Sequence, residues 1–125
     1  MKILTATYVV PISADPIVSG AVAIDRNLIA DVGTAADLRA KYPNADVDDL
    51  GEAAIIPGFV NCHSHLEITA MRGALDRVEN DFYKWLITLT KLRGEVLTDD
   101  DIKVAALAGA VEGARAGVTC FGDIG

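Results

Sequence analysis

The chain has 125 residues, of which 51% are hydrophobic and 23% charged, a composition typical of a globular protein rather than a disordered one. Its net charge of −7 and acidic isoelectric point predict that nucleic acid is not a partner, because an acidic surface repels the phosphate backbone. No apolar stretch reaches the roughly 18 residues of a membrane span. The amino terminus has no secretory signal, so a cytoplasmic protein is expected.

The first 57 residues predict a small β-sandwich, because short apolar runs alternate there with turn residues. Val, Ile and Thr recur in these runs and favour the extended backbone. The predicted elements are, in chain order, a strand over residues 2–12, a hairpin over residues 19–33, a short helix capped by Thr34 and an extended stretch over residues 46–56.

The pattern changes after Pro57-Gly58, where a short apolar strand begins at Phe59. Two helices follow, one over residues 80–93 with Asn80 and Gly94 at its ends, and one over residues 98–116 that Thr98 caps and Gly117 ends. The first should bury one apolar face, and alanines in the second should let it lie close to a sheet. A second apolar strand starts at Val118. A strand, helices and another strand predict an α/β fold with a parallel pair of strands.

The two cysteines, Cys62 and Cys120, fall in the two apolar strands. With no sign of a secretory context, a pair of buried thiols is expected rather than a disulfide.

His63 and His65, the two histidines of the chain, stand at the end of the strand that begins at Phe59. Residues i and i+2 of a strand point to the same side, so both imidazoles can approach one metal ion. In α/β barrels the catalytic groups lie where strands end and loops begin. The alternative is two partly exposed histidines with no ligand, since this spacing also arises by chance.

The segment Ile56–Glu67, with the sequence IPGFVNCHSHLE, resembles the signature of the amidohydrolase superfamily. Met71-Arg72-Gly73 and the segment from Ala116 to Asp123 resemble the branch that holds cytosine, guanine and S-adenosylhomocysteine deaminases and triazine hydrolases. This resemblance implies a (β/α)8 TIM barrel preceded by a small β-sandwich. Residues 1–57 would belong to the sandwich and residues 58–125 to a barrel truncated after its second strand.

The resemblance also implies one divalent metal ion, zinc or iron, with His63 and His65 as its first two ligands. The family's later ligands and its glutamate proton shuttle have no counterpart before Gly125, so no catalytic residue is assigned. The implied reaction is hydrolysis of a carbon–nitrogen bond other than a peptide bond, by deamination of a nucleobase-like or nitrogen-rich heterocycle. The alternatives are a dechlorinating or amide-cleaving relative and a non-catalytic metal-binding or interaction module.

Four further residues are candidates for contacts with the substrate or with the metal ligands. Glu67 could contact the substrate or a metal-ligating histidine, or it could be a solvated or salt-bridged carboxylate. Arg72 could cover the substrate or pair on the surface with Glu67 or Asp76. Trp85 could be a lid over a heterocycle or part of the helix core. Asp123 could line the site or cap a loop.

The partners expected from this reading are a small-molecule substrate and no membrane or nucleic acid. A homo-oligomer, or dependence on the missing barrel segment, is also expected, because two parallel strands leave open edges. A polypeptide of these 125 residues alone should be inactive, since catalytic zinc sites typically use about three protein ligands.

Overall fold

Residues 1–124 are described by the structure, a computed structural model, and they divide into two compact units. The first unit spans Met1–Pro57 and the second begins at Gly58. No helix within residues 1–124 has the length and apolar character needed to cross a bilayer. Both units combine strands with at least one helix, so the predicted mixed α/β fold is confirmed.

The first unit contains one five-stranded sheet, in which β1 lies between β2 and β4. β2 pairs antiparallel with both β1 and β3, whereas β4 and β5 run parallel to β1. The strands are β1 (Lys2–Val9), β2 (Ile17–Asp25), β3 (Leu28–Thr34), β4 (Asp46–Asp49) and β5 (Ala54–Ile55). The predicted hairpin is thus confirmed as β2 and β3, which turn at Arg26-Asn27.

A short helix, α1 (Ala35–Lys41), covers part of this sheet. The hydroxyl of Thr34 accepts a hydrogen bond from the backbone nitrogen of Asp37, which confirms the predicted cap. Leu38 of α1 packs in a buried cluster with Ile3, Ala21 and Ala23 of the sheet. Burial of these apolar side chains is the main stabilising term in this unit.

All five strands of residues 1–57 belong to one sheet, and the assignment of this segment to a β-sandwich stays a prediction. The layer that faces this sheet is α1 and not a second sheet. The stretch over residues 46–56 was expected to supply further sandwich strands. It forms β4 and β5, which are short and pair with β1 instead of building another layer.

The second unit holds the predicted parallel pair, β6 (Phe59–Ser64) and β7 (Val118–Asp123). The helical crossover that joins parallel strands is needed because a tight turn cannot connect them. It consists of a 3₁₀ helix (Leu66–Met71), a short 3₁₀ turn (Asp76–Val78), α2 (Phe82–Lys91), a π-helical turn (Leu92–Val96) and α3 (Asp99–Arg115).

The helix α2 begins one residue later than expected, because Asp81 rather than Asn80 provides the cap. Its carboxylate accepts a hydrogen bond from the backbone nitrogen of Lys84 at 3.1 Å. The predicted apolar core face is wrong, since Phe82 is 74% exposed and Trp85 is only half-buried. Within residues 1–124 no layer covers this face. The chain also continues past Lys91 into the π-helical turn, so the expected stop at Gly94 lies inside a turn.

The cap predicted at Thr98, at the start of α3, is confirmed and forms a capping box, in which Thr98 and Asp101 exchange hydrogen bonds between side chain and backbone. Gly117, with φ of 89°, follows the last turn of α3 as expected. Two glycines of α3, Gly109 and Gly113, lie where a Cβ would meet neighbouring atoms closely. A Cβ at Gly113 would lie 2.4 Å from the ring of Phe121. The backbone of α3 at Gly113 therefore packs directly against the side chain of Phe121 on β7.

The expected burial of Cys62 and Cys120 is wrong, because both side chains are exposed free thiols. The apolar runs correctly predicted the positions of β6 and β7. They did not predict whether another layer covers these strands. Within residues 1–124 the β6–β7 pair has only two strands, and much of its surface remains exposed.

Candidate functional site

The rings of His63 and His65 lie side by side at the carboxyl end of β6. His63 is the penultimate residue of the strand, and His65 follows it with φ of −131° and ψ of 81°. Their ring centres are 5.3 Å apart and their planes are inclined by 78°. Two imidazoles bound to one tetrahedral zinc ion have ring centres about 5 Å apart, given metal–nitrogen bonds of about 2 Å. The spacing of the pair therefore fits a shared metal ion.

The turn that carries His65 is held by the end of β7. Oδ1 of Asp123 accepts hydrogen bonds from the backbone nitrogen of Leu66 at 2.9 Å and from the hydroxyl of Ser64 at 3.2 Å. Ser64 and Leu66 are the two neighbours of His65 in the chain. Asp123 thus caps this turn, which is one of the two roles considered for it.

Glu67 lies behind the turn and is buried, with a side chain only 5% exposed. Its Oε1 accepts a hydrogen bond from Nη1 of Arg93 at 3.0 Å. The same oxygen lies 4.0 Å from Nδ1 of His65. Its Oε2 has no hydrogen-bond donor among residues 1–124. Of the roles considered for Glu67, a buried salt bridge is the one the structure shows.

Arg72 forms a two-point ion pair with Glu112 of α3, with distances of 3.2 and 2.7 Å between the paired atoms. The expected surface partners, Glu67 and Asp76, are wrong. Asp76 instead accepts a hydrogen bond from the backbone nitrogen of Gly73. Hydrogen bonding to Arg72, reinforced by its charge, lowers the pKa of the Glu112 carboxyl. The ion pair fastens the segment after the histidines to α3.

An open cavity of about 270 Å³ adjoins the histidine turn. Trp85 contributes an aromatic wall to it and stacks on Phe82, with ring centres 6.2 Å apart. The residues around the cavity are His65, Ile68, Thr69, Arg72, Leu75, Asp76 and Trp85. Three of the sequence candidates, His65, Arg72 and Trp85, therefore meet at one cavity, whereas Glu67 and Asp123 do not line it.

In the part of the chain that the structure describes, two side chains at this place, His63 and His65, are candidate metal ligands, and they are not a full set. Within residues 1–124, no group of three or more His, Cys, Asp or Glu side chains is arranged to hold a metal ion. A pair of imidazoles is a partial ligand set for zinc, which usually takes three protein ligands in catalytic sites and four in structural ones.

Comparison with protein families gives two matches along the chain. The amidohydrolase family matches residues 54–125, more than half of the sequence. This chain belongs to the amidohydrolase family. An imidazolonepropionase-like composite domain of the bacterial type matches residues 20–45 of the same amidohydrolase chain.

Several curated relatives of this amidohydrolase are deaminases. The 5-methylthioadenosine/S-adenosylhomocysteine deaminase of Nitratidesulfovibrio vulgaris (strain Hildenborough) is 34% identical over 105 residues, which cover 84% of this chain and 23% of that protein. The 5'-deoxyadenosine deaminase of Methanobrevibacter smithii is 33% identical over 107 residues, which cover 86% of this chain and 23% of that protein. The chain therefore spans about a quarter of the length of these relatives.

Two solved structures share the fold of this amidohydrolase. Helicobacter pylori aminofutalosine deaminase, in complex with methylthio-coformycin, superposes with a TM-score of 0.76 and 21% identity, covering 98% of this chain and 29% of that one. An adenosine deaminase from Xanthomonas campestris with bound zinc superposes with a TM-score of 0.66 and 22% identity. The superposition covers 97% of this chain and 28% of that one. At these identities the likeness establishes the fold alone.

Sequence reasoning missed three residues that shape the site of this amidohydrolase. Arg93 pairs with Glu67, Glu112 pairs with Arg72, and Ser64 binds Asp123. Each contact joins segments at least 26 residues apart. For the two ion pairs the one available signal was opposite charge, which many other pairs in the chain share, and for Ser64 there was none.

Proposed function

We propose that this amidohydrolase chain is part of a metal-dependent deaminase that hydrolyses a carbon–nitrogen bond of an adenosine-like nucleoside. The observation that carries the proposal is the pair of adjacent imidazoles, His63 and His65, at the carboxyl end of β6 beside the parallel strand β7. This is the edge at which α/β barrels place their catalytic groups. The deaminase activities named for its curated relatives support the same reaction.

His63 and His65 would hold one divalent metal ion, zinc or iron, together with further ligands. Neutral imidazole suits both metals, and zinc is supported by the zinc bound to the Xanthomonas campestris relative. When bound, such an ion acts as a Lewis acid and makes water reactive near neutral pH. The contribution of this chain is to hold the turn that carries His65, through the hydrogen bonds that Asp123 accepts from Ser64 and Leu66.

The cavity beside His65 would receive the heterocyclic part of the substrate. Trp85 offers an aromatic wall on which a purine can stack. Stacked aromatic rings attract each other when their centres are about 4.5–7 Å apart. Arg72 also lines the cavity, but its guanidinium is engaged by Glu112. We therefore assign Arg72 to the shape of the cavity rather than to the binding of a carboxylate or phosphate.

The proposed architecture is a (β/α)8 barrel in which β6 and β7 are the first two strands. Residues 1–57 would form part of a composite β domain, which the match over residues 20–45 supports. The remaining barrel strands, whether in a longer chain or a second subunit, would provide the later metal ligands and the proton shuttle. A homo-oligomer and a cytoplasmic location stay predictions of the same scheme.

The experiment is to prepare the full-length protein that carries this chain, with His63→Ala, His65→Ala and Cys120→Ser variants. Metal content would be measured by mass spectrometry, and ammonia release from adenosine, 5'-methylthioadenosine and S-adenosylhomocysteine would be assayed. Both histidine variants should lose metal and activity. Cys120→Ser is the matched control, because its exposed thiol lies on β7 and is not a proposed ligand.

Unchanged metal content in both histidine variants would overturn the proposal. Metal binding that depends on the histidines, without ammonia release from any of the three substrates, would favour the alternatives. Release of chloride from a chlorinated triazine, or of an amine from an amide substrate, would then indicate a dechlorinating or amide-cleaving enzyme, and no turnover of any substrate would indicate a binding module.

A further inference from the structure

Glu67 is the one buried carboxylate beside the histidine pair, and the proposed reaction gives it no task. Its side chain is only 5% exposed, and Arg93 donates to Oε1 alone. Within residues 1–124 its Oε2 has no donor. A buried carboxylate oxygen without a partner is costly, so its position next to the histidine pair points to a role there.

His65 offers a ring nitrogen donor close to the Glu67 carboxylate. Its Nδ1 lies 4.0 Å from Oε1, about 1 Å beyond hydrogen-bond length. A histidine that binds a metal through one ring nitrogen commonly donates the hydrogen of the other to a carboxylate, which fixes the orientation of the ring. A small rotation of the Glu67 carboxylate or of the His65 ring would close this gap.

Arg93 explains why Glu67 can stay in this place. It lies in the π-helical turn Leu92–Val96 and reaches the carboxylate from a segment 26 residues away. Single π-helical turns inside helices occur frequently at functional sites. The cation offsets the burial of the Glu67 charge while leaving Oε2 without a donor.

We propose that Glu67 is a positioning residue that accepts a hydrogen bond from Nδ1–H of His65 and so presents Nε2 of that ring to the metal ion. The inference rests on the proposed function, because it takes His65 to be a metal ligand. In this arrangement Arg93 holds the carboxylate of Glu67 behind the His65 ring. Glu67 itself touches neither the metal ion nor the substrate.

The test uses the full-length protein with Glu67→Ala, Glu67→Gln and Glu79→Gln. Glu79 is the control, because it is an exposed carboxylate of the same unit and forms no ion pair within residues 1–124. Zinc affinity would be measured by competition with a chromophoric chelator. The ¹⁵N signals of the His65 ring would report which nitrogen carries the hydrogen.

Glu67→Ala should weaken zinc binding about 10- to 100-fold, the usual effect of removing the partner of a ligating histidine. It should also reduce the Nδ1–H form of His65. Glu67→Gln keeps the size of the side chain and one acceptor, so a smaller loss is expected. Glu79→Gln should leave both readouts unchanged.

Zinc affinity within twofold of wild type in Glu67→Gln and in Glu67→Ala, with an unchanged His65 spectrum, would overturn the inference. If Glu67→Ala does not fold, as judged by circular dichroism, the isosteric Glu67→Gln decides alone. Loss of zinc in His65→Ala together with normal zinc binding in the Glu67 variants would refute this inference and leave the proposed function intact. Normal zinc binding in His65→Ala would refute both.

Discussion

The carboxylate of Asp123 accepts a hydrogen bond from the backbone nitrogen of Leu66 at 2.9 Å, across 57 residues of sequence. This contact places the end of β7 directly against the turn that carries His65. It makes the geometry of the histidine pair dependent on a strand that follows more than fifty residues later.

Replacement of Asp123 by alanine should therefore damage the metal site more than replacement by asparagine. Asparagine retains an oxygen that can accept from Leu66 and Ser64, whereas alanine removes both hydrogen bonds. We expect Asp123→Ala to lower the free energy of unfolding by about 1 kcal/mol and to weaken zinc binding about tenfold. Urea unfolding and chelator competition on the full-length protein would measure the two effects. Equal losses of stability and zinc affinity in the alanine and asparagine variants would contradict this expectation. They would show that the negative charge of Asp123 matters, and not its ability to accept hydrogen bonds.

Gly122→Ala should destabilise the second unit. A Cβ at Gly122 would lie 2.7 Å from the backbone oxygen of Cys62, and neither strand can move without breaking the parallel pair. Overpacking of this kind costs about 1–3 kcal/mol. The matched control is Gly94→Ala, since a Cβ there meets nothing within 4 Å. Thermal melts should show a lower midpoint for the first variant alone, and an unchanged midpoint for Gly122→Ala would contradict the close approach.

The ion pair between Arg72 and Glu112 should give a pH-dependent contribution to stability. Its hydrogen bonds lower the pKa of Glu112 below the ordinary value of 4.5. The contribution is present above the pKa of the unfolded state and is lost as the pH falls through the lowered pKa of the folded state. Glu112→Gln should thus be less stable than wild type at neutral pH and equally stable in strong acid.

Glu79→Gln is the control for this series, because Glu79 forms no ion pair within residues 1–124. The difference between wild type and Glu112→Gln should also shrink in 1 M salt, since both partners are exposed and screened. A difference that persists at low pH would mean that the carboxamide perturbs the packing of α3.

A polypeptide limited to residues 1–125 should not release ammonia from adenosine derivatives. Within residues 1–124 no third ligand stands near His63 and His65, so zinc should bind weakly and exchange quickly. The assay would compare this polypeptide with the full-length protein at equal zinc concentration. Turnover near the full-length rate, abolished by His65→Ala, would show that two histidines suffice.

Local signals in the sequence predicted much of the fold. The caps at Thr34 and Thr98 and the β2–β3 hairpin depend on residues within a few positions of one another, so they could be predicted directly. The parallel β6–β7 pair followed from the helical segment between two apolar strands. The burial of Cys62 and Trp85 could not be predicted, because periodicity shows which residues share a face and not whether another layer covers it.

The sequence predicted the pair of histidines in the candidate site but not the residues that hold this pair in place. The spacing of His63 and His65 indicated adjacent rings, and the structure places them 5.3 Å apart. The Arg93–Glu67 pair could not be derived in the same way. Its geometry depends on the π-helical turn, which changes the direction of every side chain after Lys91 and leaves no pattern in the sequence.

The parallel pairing of β6 with β7 also determines the order in which the histidine site can be built during folding. The β2–β3 hairpin joins neighbours in sequence, and such hairpins close within microseconds. The contact of Leu66 with Asp123 must close a loop of 57 residues, and the entropy lost in this closure delays it. The turn around His65 thus gains its anchor late, after α3 has formed and docked. A nascent or partly folded chain would present loosely held imidazoles, so metal uptake should follow folding of this unit rather than guide it.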